Sequence, residues 1–319
     1  MKVFGPVPSR RLGSSLGINN IPSKVCSYSC VYCQLGRTLR KQVRRRAFYR
    51  PEDILKEVEE KLEKVERVRG LVDYLTFVPD GEPTLDVNLG EEIEMLKPLG
   101  LKVAVISNAS LICREDVRED LARSDLVSLK IDAVDEDVWH RMNRPHRCLR
   151  LPEILEGLVE FSKTYSGVII TETMLIDGVN DEEKEIKEIS MLLERLNPAK
   201  AYIAVPTRPP AERWVKPTSE QALNAAYQAF TEVLGEGNVE YLTGYEGLDF
   251  AFTGDVEEDL LSIMSVHPMR ADAVDEFLRK AGVDWNLVNK LIREGRLIEL
   301  NYGGYKFYMK RLLGRENFV

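Results

Sequence analysis

The chain has 319 residues, 44% of them hydrophobic and 30% charged, with a net charge of −8 at neutral pH. That length suits one large α/β domain and a small one; no apolar run approaches the roughly 20 residues of a membrane span, and the start Met1-Lys-Val-Phe-Gly-Pro lacks a secretory hydrophobic region, so a cytoplasmic protein without membrane contact is expected. Five cysteines, an odd number with three between positions 26 and 33, argue against a disulfide framework and for a reducing compartment.

Residues 1–25 are punctuated by Gly5, Pro6, Pro8, Gly13, Gly17 and Pro22, which predicts a loop or short strand. Arg10 and Arg11 within it can reach an anionic group or cap a neighbouring carboxylate. Next comes Cys26-Ser-Tyr-Ser-Cys30-Val-Tyr-Cys33, three thiols close enough to converge on one metal centre. Cys thiolates hold iron–sulfur clusters, and three of them leave one iron of a [4Fe–4S] cluster without a protein ligand, open to a substrate or cofactor. The alternatives are a structural zinc or a redox pair, but zinc needs a fourth ligand and the nearest histidine is His140. Cys113 and Cys148 read as small buried hydrophobes.

A basic run follows: Arg37, Arg40, Lys41, Arg44, Arg45, Arg46 and Arg50, with no acid among them. Lying just after the cysteines, it is expected near the mouth of a site, where it would contact phosphate; otherwise it is a solvated loop paired with the Glu-rich helix beyond it. That helix, 51–68, has Pro51 at its start, acids in its first turn and apolar residues at helical spacing. Strands and helices then alternate: strands 73–78, 102–107, 126–131, 167–175, 200–206 and 239–243, with helices 89–97, 115–122, 152–164, 181–195 and 218–235 between and after them. Such alternation predicts a parallel sheet with crossover helices, whose function sits on the loops after the strands.

Those loops carry polar residues. The strand 73–78 runs into Pro79-Asp80-Gly81-Glu82-Pro83-Thr84, and 102–107 ends in Ser107-Asn108. Lys130 and Asp132, two apart, can share a strand face. The loop after them contains Arg141, Asn143, Arg144 and His146, the last able to move protons near neutral pH. Glu172 in an otherwise apolar strand calls for a ligand or a buried pair, and Arg208 sits on a rigid Pro-rich loop. Beyond residue 250 the pattern changes to helices 256–265, 270–281 and 285–294 and two strands, 296–300 and 305–309, joined through Gly303-Gly304. This order resembles a winged helix-turn-helix, whose third helix and wing can bind nucleic acid and which also serves as a protein-docking module.

The CxxxCxxC spacing with Tyr32 before the third cysteine resembles the signature of the radical S-adenosylmethionine (SAM) superfamily, and Asp80-Gly81-Glu82-Pro83 is similar to its Gly-Gly-Glu-Pro loop, with Asp for the first Gly. The resemblance implies a partial (β/α)6 barrel over residues 1–250, followed by the winged helix-like domain 254–319. It implies a [4Fe–4S] cluster on Cys26, Cys30 and Cys33 and S-adenosyl-L-methionine near Tyr32, Asp80, Gly81, Glu82, Ser107, Asn108, Lys130 and Asp132. Reductive cleavage of SAM to a 5′-deoxyadenosyl radical follows, with an electron donor such as ferredoxin or flavodoxin. Pro8-Ser-Arg-Arg-Leu-Gly13 and Cys33-Gln-Leu-Gly36 look like the branch grouped with wyosine synthases and nitrogenase-cofactor maturases. Unlike wyosine synthases, this chain lacks the cysteines for a second cluster. The expected substrate is RNA, transfer RNA in particular, bound through Arg44, Arg45, Arg46, Glu172 and Arg208. The alternatives are radical modification of a peptide or protein docked on the winged helix, and a non-enzymatic iron–sulfur-sensing transcription regulator.

Overall fold

The computed structural model describes residues 2–244, 250 and 252–311. Its first element is a hairpin where the sequence predicted mainly loop: β1 (Val3–Ser9) pairs antiparallel with β2 (Gly13–Ile18). The glycines and prolines that signal turns have another use here. Register shifts between Phe4 and Val7, so Gly5-Pro6 falls in a bulge of the edge strand, where a proline removes no ladder bond. A Cβ on Gly17 would lie 2.1 Å from the Phe4 ring, so that glycine is a seat for an aromatic side chain.

From β2 onward the alternation holds. β3 (Tyr74–Phe77), β4 (Lys102–Ser107), β5 (Leu126–Lys130), β6 (Val168–Met174), β7 (Lys200–Ala204) and β8 (Val239–Leu242) add in sequence order, each parallel to the last, giving an open eight-stranded sheet. Crossovers are made by α1 (Pro51–Arg67), α2 (Leu89–Leu96), α3 (Glu115–Leu121), α4 (Glu136–Asn143), α5 (Leu151–Thr164), α6 (Glu183–Leu196) and α7 (Glu220–Leu234). In α1, Pro51 occupies the first turn with Glu52 and Asp53, and Ile54, Val58 and Val65 form the buried stripe. The short α4, expected as loop, is capped by Asp135, whose side chain accepts from the Asp137 and Val138 amides.

Side chains alternate along the strands. Leu75, Phe77, Val103, Val105, Val127, Leu129 and Ile203 join the helices in the main core, while Ala104, Leu126, Ile170, Tyr202 and Ala204 form a smaller inner cluster. The inner face therefore lines a lumen, and the loops at the strands' C-terminal ends surround its mouth. Arg10 bridges the open seam, donating through Nη2 to the Gly244 carbonyl at 2.8 Å.

Beyond β8 the chain forms α8 (Val256–Val266), β9 (Met269–Arg270), α9 (Ala271–Ala281), α10 (Asn286–Arg293), β10 (Leu297–Tyr302) and β11 (Tyr305–Lys310). The strands make a separate antiparallel sheet in the order β10-β11-β9, and Leu260, Met264, Phe277, Leu291 and Tyr308 belong to a hydrophobic cluster of their own. Residues 312–319 of the expected small domain lie outside the described residues. This module is bolted to α1 by the buried pair Lys61–Asp259, 2.6 Å apart. Among the described residues no helix is long and apolar enough to cross a membrane.

Candidate functional site

The loop after β2 carries the three cysteines, and backbone bonds fix its shape. Lys24 N donates to the Asp80 carbonyl at 2.8 Å and Glu82 N to the Val25 carbonyl at 3.0 Å, closing this loop against the one after β3. Only glycine fits at position 81, because a Cβ there would sit 1.8 Å from the Val25 carbonyl oxygen. Further on, Ser29 N bonds Asn143 O at 3.0 Å and Val31 N bonds Met142 O at 2.9 Å, so the end of α4 holds the middle of the loop. Arg37 closes its far end with a bidentate pair to Glu212, Nε to Oε1 at 2.8 Å and Nη2 to Oε2 at 2.7 Å.

Cys26, Cys30 and Cys33 open together into a cavity of about 290 Å³ at the mouth of the lumen. Among the described residues, no three His, Cys, Asp or Glu side chains are placed to hold a single metal ion. The thiols flank one end of a space able to take a larger inorganic group. Burial, with Cys30 and Glu82 alongside, pushes the Cys26 thiol far above its ordinary value, and burial with Asp132 and Cys33 pushes Cys30 up to about 12. The pocket therefore opposes bare thiolates and suits ligands whose negative charge is offset by bound iron.

Opposite the thiols stands a charged group built by strand register. Lys130 on β5 and Glu172 on β6 are direct partners in the parallel ladder, and both side chains point into the lumen. Lys130 Nζ lies 2.6 Å from Glu172 Oε1, and Arg11 pairs with Oε2 of the same carboxylate. Burial works against the Lys130 ammonium, and Glu172 and Asp132 more than offset it, holding its pKa above that of an ordinary lysine. Lys130 also lies 4.8 Å from the centre of the Tyr32 ring. Glu172 is thus in a buried pair, one of the two outcomes its position called for.

Asp132 does not pair with Lys130 as the two-residue spacing suggested. β5 ends at Lys130, so Asp132 has left the strand; Oδ1 accepts from Met174 N at 3.0 Å, and Oδ2 from Asn143 Nδ2 at 2.9 Å and from the Tyr32 hydroxyl. It anchors Tyr32 from behind the cavity wall. Glu82 is likewise engaged with protein donors. Its oxygens accept from Thr84 Oγ1 at 2.6 Å, Ser107 Oγ at 2.7 Å and Asn108 N at 2.7 Å, which ties the loops after β3 and β4 together. Burial raises its pKa in spite of these bonds. Asp80, Gly81, Ser107 and Asn108 all border the cavity, and the Asn108 amide reaches Cys26. Arg208 borders it too, donating to Gln34 Oε1 at 2.9 Å, with Nη2 2.8 Å from Nε2 of His267 in the C-terminal module.

The basic run departs from expectation. Arg44, Arg45 and Arg46 do not line the cavity; the segment climbs over the rim, and Arg45, its side chain 5% exposed, is bound to Asp116 at 2.8 Å, to Asp120 and to the carbonyls of Thr84 and Asp86. Arg46 stacks on Phe48, 4.7 Å from the ring centre. Lys41 donates to two carbonyls, leaving Arg40, Arg44 and Arg46 as its solvent-facing cations beside Arg37 and Arg50. Cys148 is exposed rather than buried, and His146 sits outside the cavity with Nδ1 accepting from Cys148 N. The sequence reading passed over Lys24 and Glu212, and named Asn143 only as part of a polar loop; Asn143 and Glu212 have partners in other segments.

Residues 20–189 match the family described as the radical SAM superfamily. A UPF0026 protein of Methanocaldococcus jannaschii is 49% identical over 316 residues, 99% of this chain and 98% of that one. Among solved structures, TYW1 with a lysine–pyruvate adduct shares the fold at a TM-score of 0.52 and 19% identity, over 70% of this chain and 75% of TYW1. Streptococcus suis SuiB bound to its precursor peptide SuiA gives 0.51 and 16%, over 70% of this chain and 48% of SuiB, so the chain spans about half of that protein. The match covers more than half of the sequence, and the chain belongs to the radical SAM superfamily. It is a radical SAM enzyme, of a family that uses a [4Fe–4S] cluster and S-adenosylmethionine and needs a reductant.

Proposed function

We propose that this enzyme, in the cytoplasm, binds its [4Fe–4S] cluster through Cys26, Cys30 and Cys33 and cleaves S-adenosylmethionine reductively to attack an RNA, transfer RNA in particular. The observation that carries the cleavage step is the meeting of the three thiols and the Lys130–Glu172–Arg11 group across one cavity. When bound, the cluster supplies the electron that breaks a carbon–sulfur bond of S-adenosylmethionine and yields the 5′-deoxyadenosyl radical. The chain's own residues bind and orient. The Asp80–Gly81 backbone and Asn108 border the cluster end, and Lys130, held by Glu172 and Tyr32, presents a cation to the carboxylate or ribose of the cofactor. Asp132 fixes Tyr32 through its hydroxyl, and Glu82 fixes the two loops on which Asp80 and Asn108 ride. Arg208, clamped by Gln34 and His267, stands on the substrate side, with ferredoxin or flavodoxin as the electron donor.

Arg40, Arg44 and Arg46, exposed on the rim, favour a phosphate-bearing substrate. A specific observation favours the peptide reading instead: three cations of the winged helix-like module are answered within it, Lys290 and Arg296 by Glu257 and Lys306 by Glu299. The test is anaerobic reconstitution, reduction and measurement of 5′-deoxyadenosine, with Cys30→Ala as control. Product from the native protein alone supports the cleavage reading, and a loaded cluster with no product under any substrate mixture overturns it. Salt-sensitive RNA affinity separates the two substrates; its absence sinks the RNA assignment.

A further inference from the structure

Each cluster cysteine receives one side-chain N–H donor, and the three donors come from three separate stretches of chain. Asn108 Nδ2 lies 3.5 Å from Cys26 Sγ, Asn143 Nδ2 lies 3.5 Å from Cys30 Sγ, and Lys24 Nζ lies 3.8 Å from Cys33 Sγ. Second partners fix each of them. Asn108 also donates to Ser27 Oγ at 3.1 Å and accepts from Ser110 N on Oδ1 at 2.9 Å. Asn143, buried at the end of α4, donates to Asp132. Lys24 Nζ is clipped to the Gly36 carbonyl at 2.5 Å, and its backbone is held in the left-handed region at φ 64° by the bond to Asp80. A lysine kept in a conformation that L-residues avoid, with its ammonium aimed at a thiol, is a placement the surrounding loops enforce.

The donors are unequal. Cys26 and Cys30 receive neutral amides and feel the carboxylates of Glu82 and Asp132, whereas Cys33 receives a full positive charge. We propose that Lys24, Asn108 and Asn143 form a shell of one donor per cluster thiolate that raises the reduction potential of the cluster, with the Lys24 charge making the largest contribution. This rests on the ligation proposed above. Reduction adds one electron, delivered by a one-electron carrier of the ferredoxin or flavodoxin class, to an already anionic cluster–thiolate unit. A nearby cation and N–H donors stabilise the more negative state, so they ease that transfer.

The experiment is a redox titration of the reconstituted protein without S-adenosylmethionine, followed by the electron paramagnetic resonance of the reduced cluster, with iron content measured on every sample. Lys24→Gln keeps a donor for Gly36 but removes the charge; at a fixed potential it is expected to shift the oxidised-to-reduced ratio about tenfold toward oxidised, about 59 mV for a one-electron couple. Lys24→Arg is expected to stay within about twofold of the native protein, and Asn108→Ala to shift about threefold in the same direction as Lys24→Gln, the scale of a neutral donor. A Lys24→Gln ratio within twofold of native, or an equal shift in Lys24→Arg, overturns the proposal. Should Lys24→Gln hold no iron, Asn108→Ala decides: the threefold shift supports the shell, and a native ratio overturns it. Native protein that binds no iron fails the ligation itself, a separate result.

Discussion

The two ends of the cavity solve opposite electrostatic problems. At the thiol end, burial and neighbouring acids hold Cys26 and Cys30 protonated until a metal supplies positive charge. At the other end, Arg11 and Lys130 already neutralise Glu172, Lys130 through the direct register of β5 and β6 and Arg11 from the turn between β1 and β2. One end is incomplete without its inorganic partner. The other is complete in the polypeptide and preorganised to meet a charged ligand. Lys130 and Glu172 are thus placed by strand register and Arg11 by the turn between β1 and β2, whereas the thiols ride on a loop whose position neighbouring backbone sets.

Removing one member from each end breaks the comparison most directly. Cys30→Ala should abolish cluster retention and 5′-deoxyadenosine formation while leaving the fold of the apo-protein intact, since the thiol stabilises no ion pair there; a loss of apo-protein stability above about 2 kcal/mol would show that the thiol end is structurally complete after all. Glu172→Ala should do the reverse. It leaves Arg11 and Lys130 facing each other in the lumen, with an expected cost of about 3–5 kcal/mol in urea unfolding of the apo-protein. A change below about 1 kcal/mol would mean that water already screens that end.

How much of this was legible in the sequence follows from how local each interaction is. The parallel strands could be read because apolar periodicity and βα alternation are local signals, and the CxxxCxxC loop because its cysteines share one segment. The hairpin of residues 3–18 was not, since its glycines and prolines serve a bulge and the Phe4 seat instead of turns. α4 was missed because eight residues buried through Trp139, Met142 and Asn143 show too short a period. Lys130 and Asp132 were paired on a periodicity that stops at the strand end. Arg45 looked like a free cation because the acid that holds it, Asp116, comes 71 positions later; only tertiary structure brings a rim segment and α3 together.

Gly81→Ala sharpens the comparison at the joint between the thiol loop and the strand loops. The added methyl meets the Val25 carbonyl oxygen 1.8 Å away, a backbone atom one residue before Cys26, so the loop must shift. We expect a loss of about 1–3 kcal/mol in the apo-protein, the range of overpacking in a tight site. Iron retention should fall further than that loss explains, because the strain falls on the residue next to a ligand. Retention that tracks stability alone would show that the thiol loop tolerates displacement, contrary to its dense backbone bonding.

The smallest expected change in stability tests the rim, where the basic run turned away from both ends. Arg40, Arg44 and Arg46 are exposed, so replacing all three by Glu should alter stability by no more than about 0.5 kcal/mol per site. If these residues meet phosphates, RNA affinity should fall and the slope of its logarithm against the logarithm of salt should shrink by about 2, since each single-strand phosphate contact contributes roughly 0.7. Formation of 5′-deoxyadenosine without RNA should be unchanged, because none of the three borders the cavity. An unchanged slope would remove the strongest support for an RNA substrate. It would leave the cavity chemistry intact and move the question of substrate to the C-terminal module, which reaches the cavity rim through His267.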